Sequence, residues 1–276
     1  MRTQSIVLQF VALAVLAAGC AKQPDPVEVE YATISASLEQ DGTMDTKTYL
    51  TGVRVKWQET DSIALAYGQL GTSMNVLPYG VESIDVKDAR KATFEGYAPV
   101  SADYIGVYPH GALIGCNPDG KLMIAFPTVQ KATAGSFGPE ANVAVAYSAT
   151  TDLSFQNVGG LLAIALTDVG EHTVTSVRLT GTSALSGTVT LLKDKLPVVE
   201  SVEVGVNYVE LSGNFVEGGT YYFVVLPGSH EGFTLTLTDS DGYIAKATSH
   251  YCFTIDRRSN TFIADISVPE EKWQMP

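Results

Sequence analysis

Phe233-Thr-Leu-Thr-Leu-Thr238 is the stretch in which apolar and hydroxyl-bearing side chains alternate most regularly. A period of two predicts a β-strand that turns its phenylalanine and two leucines toward a core and its threonines toward solvent. The next four residues, Asp239-Ser-Asp-Gly242, have the composition of a hairpin turn, and an alternating run resumes at Tyr243. This pair of strands predicts an all-β fold.

Strand patterns continue through the second half at the spacing of about 8–12 residues that is typical of a β-sandwich. The apolar run Leu161-Leu-Ala-Ile-Ala-Leu166 predicts a fully buried strand. The other predicted strands are residues 173–179, 187–192, 208–211, 221–226, 243–248 and 261–266.

The first half shows the same organisation, with Gly, Pro, Asn and Asp between the runs. Residues 126–142 are polar and contain Gly and Pro, which predicts a long loop. The predicted strands are residues 31–38, 53–57, 63–67, 92–97, 104–108, 122–126, 143–147 and 153–155. The polar segment 148–152 predicts a boundary near residue 150, with β-sandwich domains over 31–150 and 151–276.

The N-terminus has the pattern of an export signal. Arg2 precedes an apolar run over residues 6–18, too short to span a bilayer, and Leu16-Ala-Ala-Gly-Cys20 follows. LAAGC resembles the bacterial lipobox, which implies removal of residues 1–19 and a lipid on Cys20. Residues 20–30 contain two prolines and several acids, and predict an extended linker.

Composition limits the partners. The formal net charge is −13, so nucleic acid and anionic lipid surfaces should repel the chain. The lipid on Cys20 would therefore have to provide the attachment to a membrane by itself.

Two cysteines remain after Cys20. An exported compartment permits a disulfide between Cys116 and Cys252. Two separate buried thiols are the other arrangement, and the sequence leaves both open.

No pattern of catalytic, cofactor-binding or metal-ligating residues is present. The four histidines are far apart in the sequence, and no G-x-S-x-G, phosphate-binding or dinucleotide-binding motif occurs. Ser229 and His230 are adjacent, which is not the geometry of a charge relay, and a turn is favoured there. Asp239-Ser-Asp-Gly242 lacks the later ligands of a calcium loop, so a hairpin turn is favoured there too. We expect a structural or binding protein without cofactor or metal, and no enzyme.

Tyrosines are frequent in the predicted strands and have two interpretations. Such rings can form a sugar-binding platform, but in strands they more often pack in the core or across strands. The residues concerned are Tyr31, Tyr67, Tyr97, Tyr104, Tyr108, Tyr221 and Tyr222.

Six short motifs lie in order over residues 30–265. They are Val55-Lys-Trp-Gln-Glu-Thr-Asp-Ser-Ile63, Phe126-Pro-Thr-Val-Gln130 with Ala132-Thr-Ala-Gly-Ser-Phe137, Phe155-Gln-Asn-Val-Gly-Gly-Leu-Leu162, Leu185-Ser-Gly187, Tyr221-Tyr-Phe-Val-Val-Leu-Pro-Gly228 and Gly232-Phe-Thr-Leu-Thr-Leu237. The first three resemble the W-x-x-G-D-x-I, P-x-x-Q and F-x-N-x-x-x-L-L motifs of the fimbrillin family, and the others match further elements of that family.

The resemblance implies two transthyretin-like, Greek-key β-sandwich domains and a subunit of surface fimbriae that contributes to adhesion. It also implies export as a lipoprotein, anchored and surface-exposed at the outer membrane through Cys20. In polymerising members a protease cuts after arginine and removes the first strand, here residues 31–38. A terminal strand of another subunit, here residues 261–276, then fills the groove by donor-strand complementation.

The sequence departs from the family at two points. Thr60 replaces the usual glycine, and residues 41–48 contain Lys47 but no arginine, so that the nearest arginine is Arg54. Lys47 and Arg54 are the candidate processing positions. A subunit that keeps its first strand would act as an anchor or tip component.

The alternative function is a monomeric outer-membrane lipoprotein that binds a glycan or a host protein through exposed loops. It differs from the fimbrial subunit in needing exposed aromatic side chains and no strand exchange.

Overall fold

The structure is a computed structural model that describes residues 30–39, 55–193 and 196–276. Within these ranges the regular structure is β-strand, apart from three single-turn 3₁₀ helices, so the predicted all-β class is confirmed. None of the helices in the described part of the chain could cross a membrane. The predicted signal segment 1–19, most of the linker 20–30 and residues 40–54 lie outside the described residues.

The first half contains eleven strands, whose bounds follow in chain order. They are β1 Tyr31–Leu38, β2 Ser62–Gly68, β3 Asn75–Ile84, β4 Lys91–Pro99, β5 Asp103–Tyr108, β6 Leu113–Cys116, β7 Leu122–Phe126, β8 Val129–Thr133, β9 Ser136–Phe137, β10 Ala144–Ser148 and β11 Asp152–Asn157.

The second half also contains eleven strands. They are β12 Gly160–Asp168, β13 Val174–Gly181, β14 Ser186–Leu192, β15 Val198–Val206, β16 Tyr208–Ser212, β17 Thr220–Val225, β18 Gly228–His230, β19 Phe233–Asp239, β20 Ile244–Ser249, β21 Phe253–Ile255 and β22 Asn260–Ser267.

Seven strands of the first half close into a barrel in the order β1-β11-β10-β5-β2-β3-β4. The first half is therefore a closed barrel, whereas the sequence predicted a sandwich of two separate sheets. Alternation directs one side of each strand inward, and Ile34, Ile63, Phe94 and Phe155 meet in the interior with almost no exposure.

Two sheets of the second half enclose a separate core. One sheet has the order β20-β19-β13-β16-β8-β9 and the other has the order β17-β12-β22. Leu235 and Val177 of the first sheet share a buried cluster with Leu162 and Tyr221 of the second. The arrangement of two packed sheets is that of a sandwich.

A third buried cluster joins the two halves. It lies between the outer side of barrel strands such as β5 and the sheet β15-β14-β7-β6, and it includes Ile105, Ile124, Val189 and Leu191. β7 pairs with β14 and β8 pairs with β16, so strands from either side of residue 150 share sheets. The division at residue 150 stays a prediction.

Most predicted strands are present with bounds that agree within two residues, but two predictions are wrong. Val55 and Trp57 belong to no strand, because the Trp57 ring is turned into the barrel core instead of alternating along a ladder. The predicted loop 126–142 contains β8 and β9, which extend a sheet of the second half.

Candidate strand-exchange site

β1 fills the space between two neighbouring strands of the barrel. It pairs antiparallel with β4 from Tyr31 to Ser37 and parallel with β11 from Ser35 to Leu38. Its inward side chains Ile34, Ala36 and Leu38 are buried, whereas Tyr31 is exposed at the outside. β1 therefore supplies hydrogen bonds to both neighbours and apolar surface to the core.

Backbone hydrogen bonds continue this pairing beyond the two ends of β1. The amide of Val100 donates to the carbonyl of Glu30 at 2.7 Å, and the amide of Leu38 donates to the carbonyl of Arg90 at 2.8 Å. Departure of β1 would leave these groups, and the edges of β4 and β11, without their partners. An exposed strand edge of this kind is a template for another strand.

An aromatic cluster lies in the barrel core together with the inward side chains of β1. The Trp57 ring makes edge-to-face contacts with Phe94, Tyr108 and Phe155, with centroids 5.1–5.7 Å apart. The Tyr108 hydroxyl donates to Asp61 at 2.9 Å, and the Gln58 amide donates to the other carboxylate oxygen at 2.8 Å.

This cluster explains the first family-like motif in physical terms. Burial raises the pKa of the Asp61 carboxyl, and the hydrogen bonds from Gln58 and Tyr108 act in the opposite direction. Trp57, Asp61 and Ile63 are all buried. Trp57 and Ile63 belong to the same core cluster as the inward side chains of β1, so the motif provides part of the core of the barrel that β1 completes.

Glu39, the residue directly after β1, is bound by groups far along the chain. Its carboxylate accepts hydrogen bonds from Arg257 at 2.7 and 3.1 Å and from Arg258 at 3.0 Å. The amide of Asn157, at the end of β11, donates to the same carboxylate at 3.1 Å. Glu39 therefore ties the end of β1 to the loop between β21 and β22.

The C-terminal segment is docked on the second half. β22 lies at the edge of its sheet, paired in parallel with β12. Beyond it, Trp273 is buried and stacks on the His172 ring with centroids 4.2 Å apart. Gln274 and Ile244 exchange two backbone hydrogen bonds of 2.8 and 3.0 Å. The predicted donor segment is thus held by stacking and by a short ladder.

His172 is the centre of this docking contact. Its Nδ1 lies 2.6 Å from Asp239, and its Nε2 lies 3.2 Å from Glu270. The hydrogen bond to Asp239, supported by Glu270, raises the pKa of His172. Burial acts to raise the pKa of Asp239, but the hydrogen bonds from His172 and from the amides of Tyr243 and Asp241 outweigh it and lower that pKa.

An apolar groove of about 470 Å³ lies beside the docked segment. Its walls are β20 and β22, each the last strand of its sheet, and Leu235 and Ile266 are among the residues that line it. The second half is thus open between these two edge strands.

Gln130 of the P-x-x-Q motif is almost completely buried. Its side-chain amide donates to the Val224 carbonyl at 2.6 Å and accepts from the Val224 amide at 3.0 Å. One side chain therefore replaces a strand partner for β17. β8, which carries Gln130, joins the other sheet by pairing with β16.

Other residues singled out in the sequence are distributed as follows. Cys20, Lys47 and Arg54 lie outside the described residues, so lipidation and processing stay predictions. Cys116, half-buried at the end of β6, and Cys252, exposed between β20 and β21, are separate free thiols in the structure.

Ser229 and His230 do not form a catalytic pair. The Ser229 hydroxyl lies 3.1 Å from Thr254, whereas the His230 ring is buried, stacks on Phe253 and lies near Ser183. Burial lowers the pKa of His230. The two residues belong to β18, which pairs with β21 directly after the bend at Pro227.

The hairpin turn predicted at Asp239-Ser-Asp-Gly242 is present between β19 and β20. The Asp239 carboxylate accepts the amides of Asp241 and Tyr243 within this turn. Among the described residues, no three His, Cys, Asp or Glu side chains are placed to hold a metal ion.

The tyrosines do not form a common platform. Tyr104, Tyr108, Tyr221 and Tyr222 are buried in the cores, Tyr67 is half-buried, and Tyr31 and Tyr97 are exposed. The hydroxyls of Tyr104, Tyr108 and Tyr221 form hydrogen bonds nearby; for example, Tyr104 donates to the Pro99 carbonyl at 2.8 Å. The packing interpretation is correct for these four rings.

The chain matches no family model and no curated protein. Several solved structures align with most of it. A candidate cell adhesion protein from Bacteroides uniformis is 17% identical, with a TM-score of 0.48 over 88% of this chain and 96% of that one. A fimbrial assembly protein from Parabacteroides distasonis is 11% identical, with a TM-score of 0.42, and the alignment covers 88% of this chain and 94% of that one. The C-terminally truncated tip fimbrial protein Mfa3 from Porphyromonas gingivalis is 9% identical, with a TM-score of 0.36, and the alignment covers 79% of this chain and 80% of that one. These neighbours are thus described as fimbrial and adhesion proteins.

Proposed function

We propose that the chain is a structural subunit of cell-surface fimbriae, joined to its neighbours by exchange of β-strands and contributing to adhesion. One observation carries this proposal: β1 is a single strand that seals the barrel between β4 and β11. A strand in that position can be replaced by an equivalent strand from another molecule, with the same hydrogen bonds and the same buried side chains.

The donor in this proposal is the segment 261–276. It contains β22, which pairs with β12 alone among the strands that the structure describes. The segment leaves the second half of its own subunit and enters the space of β1 in the next one. Release requires β22 to separate from β12, Trp273 from His172, and Gln274 from Ile244.

The proposal includes the finer features expected from the resemblance. The two halves correspond to transthyretin-like domains, and the lipid on Cys20 holds the precursor at the outer membrane. Cleavage near Lys47 or Arg54 releases the first strand of a stalk subunit, whereas an anchor or tip subunit keeps it. The role is structural and needs no enzymatic activity.

A reducible cross-link across β1 and β4 tests the acceptor role. Ser37 and Lys91 are directly opposed in this antiparallel pair, where Cα atoms are about 4.5–5.5 Å apart, within the range of a disulfide. Ser37→Cys with Lys91→Cys, in a Cys116→Ser and Cys252→Ser background, should block incorporation into detergent-resistant fimbriae when oxidised. Reduction should restore incorporation, and Ser37→Cys alone should assemble normally.

Deletion of residues 268–276 tests the donor role in the same cells. It should prevent fimbria formation, provided that circular dichroism shows the shortened chain to be folded. If the cross-link has no effect but the deletion blocks assembly, the chain donates a strand without accepting one, as an anchor does. If neither change alters assembly, the strand-exchange proposal is wrong.

A further inference from the structure

The carboxylate of Glu39 lies in a built binding site. Arg257 and Arg258 provide three hydrogen bonds of 2.7–3.1 Å to it, and the Asn157 amide provides a fourth. The Glu39 side chain is 14% exposed, and those of Arg257 and Arg258 are 19% and 26% exposed. Bonds between ionised groups that are shielded in this way are about twice as strong as neutral hydrogen bonds.

The position of the two arginines is set by their own loop and not by β1. The Arg258 amide donates to the Gly159 carbonyl at 2.8 Å, and the Leu161 amide donates to the Ser259 carbonyl at 2.7 Å. These bonds fix the loop against the start of β12.

Backbone conformation in this loop also depends on particular residues. Arg258 has a φ of 63°, in the left-handed region that non-glycine residues seldom adopt. A Cβ atom at Gly160 would lie 2.4 Å from the Asp256 carbonyl oxygen, so glycine is required for the close approach of the loop.

Under the proposed function, β1 and Glu39 leave this site together while the loop stays. Arg257 and Arg258 then lose the Glu39 carboxylate, at the end of the newly opened groove between β4 and β11. A guanidinium pair placed there favours a strand that brings a replacement carboxylate.

We propose that Arg257 and Arg258 form a carboxylate-binding site that selects the strand occupying the groove between β4 and β11. Its ligand is an extended segment of a neighbouring fimbrial subunit of different sequence, with apolar residues at alternate positions and Asp or Glu directly after the last of them. In residues 261–276 of this chain, Pro269 and not an acid follows Val268. This inference rests on the proposed function.

The site also fixes the register of the incoming strand. Leu38 is buried and Glu39 binds the arginines, so the carboxylate is held one position beyond the last inward side chain. A slip by one residue would turn the apolar side chains outward and move the acid away from the site. The arginines therefore recognise the correct alignment as well as the charge.

The negative charge of the whole chain makes the positive charge of these two arginines more important for docking. A formal net charge of −13 means that the chain repels other acidic chains at long range. A local pair of positive groups at the groove reverses that repulsion at the point where the strand docks.

A strand-replacement assay tests the inference in the full-length chain. A site-specific protease sequence replaces residues 43–48 and is cut after folding, so that the segment containing β1 stays bound without a covalent link. Two fluorescent peptides with the sequence of residues 30–39, one with the natural Glu39 and one with Glu39→Gln, then compete for the groove. Fluorescence anisotropy measures the affinity of each.

We expect the glutamate peptide to bind about tenfold more tightly than the glutamine peptide, or better, since a bond to a charged partner is lost. In the Arg257→Gln and Arg258→Gln double variant, the two peptides should bind equally. The Lys121→Gln and Arg178→Gln double variant removes the same charge from ion pairs elsewhere, and should keep the preference.

The other possible outcomes contradict either the carboxylate site alone or strand exchange as well. Equal binding of both peptides to the unmodified chain, or a preference that survives in the Arg257→Gln and Arg258→Gln variant, refutes the carboxylate site and leaves strand exchange intact. Failure of both peptides to enter the groove refutes strand exchange, and the carboxylate site with it.

Discussion

Gln130 shows at the scale of one residue how a side chain can complete a sheet. Its amide group pairs with both backbone polar groups of Val224, which are buried between the two halves. A buried backbone N–H or C=O without a partner costs about 1–3 kcal/mol. Gln130 therefore stabilises β17 more than its position in an apparent loop suggests.

Gln130→Leu should lower the free energy of unfolding by about 2–4 kcal/mol, because leucine leaves both Val224 groups without partners in a buried site. Urea unfolding followed by tryptophan fluorescence measures the change. Val129→Thr on the same strand is the matched control: Val129 is exposed, and a change within about 0.5 kcal/mol is expected there. A loss below that size for Gln130→Leu would contradict the role given to the amide.

His172 should make stability depend on pH. Its raised pKa means that protonated His172 stabilises the fold below about pH 6.5, and this contribution is lost as the pH rises through the raised value. The lowered pKa of Asp239 means that its contribution is present above about pH 3.9 and is lost as the pH falls further. Asp239 and Glu270 are the charged groups that face the ring.

His172→Asn should therefore reduce the free energy of unfolding most between about pH 4 and 6.5, and progressively less at higher pH. Urea unfolding of both proteins from pH 4 to 9 gives this difference. His110→Asn, at an exposed histidine, is the matched control, and should change the free energy of unfolding by less than about 0.5 kcal/mol. A pH-independent difference for His172→Asn would exclude an ionic contribution.

At the scale of strands, the sequence predicts those whose apolar residues form a clear pattern, and it misses some whose residues are mostly exposed. β1 and β19 alternate cleanly, and both were predicted from the period of two. β15 was missed because, among the described strands, it pairs with β14 alone, and most of its residues are exposed. β8 was missed because its partner in the sheet, β16, is distant in sequence and only Gln130 of its five residues is fully buried.

The C-terminal segment combines a strand, a single 3₁₀ turn and an anchoring ring. Trp273 fills a position against the second core although it lies only three residues before the end of the chain. If residues 261–276 are a donor, this ring holds the part of the segment beyond β22 before assembly, whereas β22 itself is held by its pairing with β12.

Trp273→Ala should loosen the segment without opening the rest of the second half. We expect faster hydrogen exchange at the amides of Ile244 and Gln274, which depend on each other, and unchanged exchange at Leu235 within β19. Mass spectrometry of exchanged peptides measures this. Met275→Ala, at an exposed neighbour, is the control; equal exchange in both variants would mean that Trp273 does not hold the segment.

At the scale of the molecule, only part of the candidate site could be predicted from the sequence. The removable strand and its inward residues follow from alternation and from the family resemblance. Glu39, Arg257 and Arg258 carry no local signal, because an isolated acid and a pair of arginines more than 200 positions away look like ordinary surface residues. Their meeting depends on the packing of the two halves.

That packing is provided by the third cluster, in which Ile124 is completely buried between the barrel and the sheet shared by both halves. Because β7 and β14 pair directly within that sheet, neither half can lose this contact without exposing apolar surface of the other. We therefore expect the halves to unfold as one cooperative unit.

The two tryptophans allow a direct test of this expectation, because Trp57 lies in the barrel core and Trp273 in the core of the second half. In Trp57→Phe and in Trp273→Phe, the urea midpoint from fluorescence should coincide with the midpoint from far-ultraviolet circular dichroism. Adding Ile124→Ala should lower the free energy of unfolding by about 2–5 kcal/mol and move both midpoints together. Ile114→Ala, at an exposed isoleucine of β6, should move neither appreciably. Separate midpoints for the two probes would show that the halves unfold independently, and that Glu39 and its arginines can part without loss of either core.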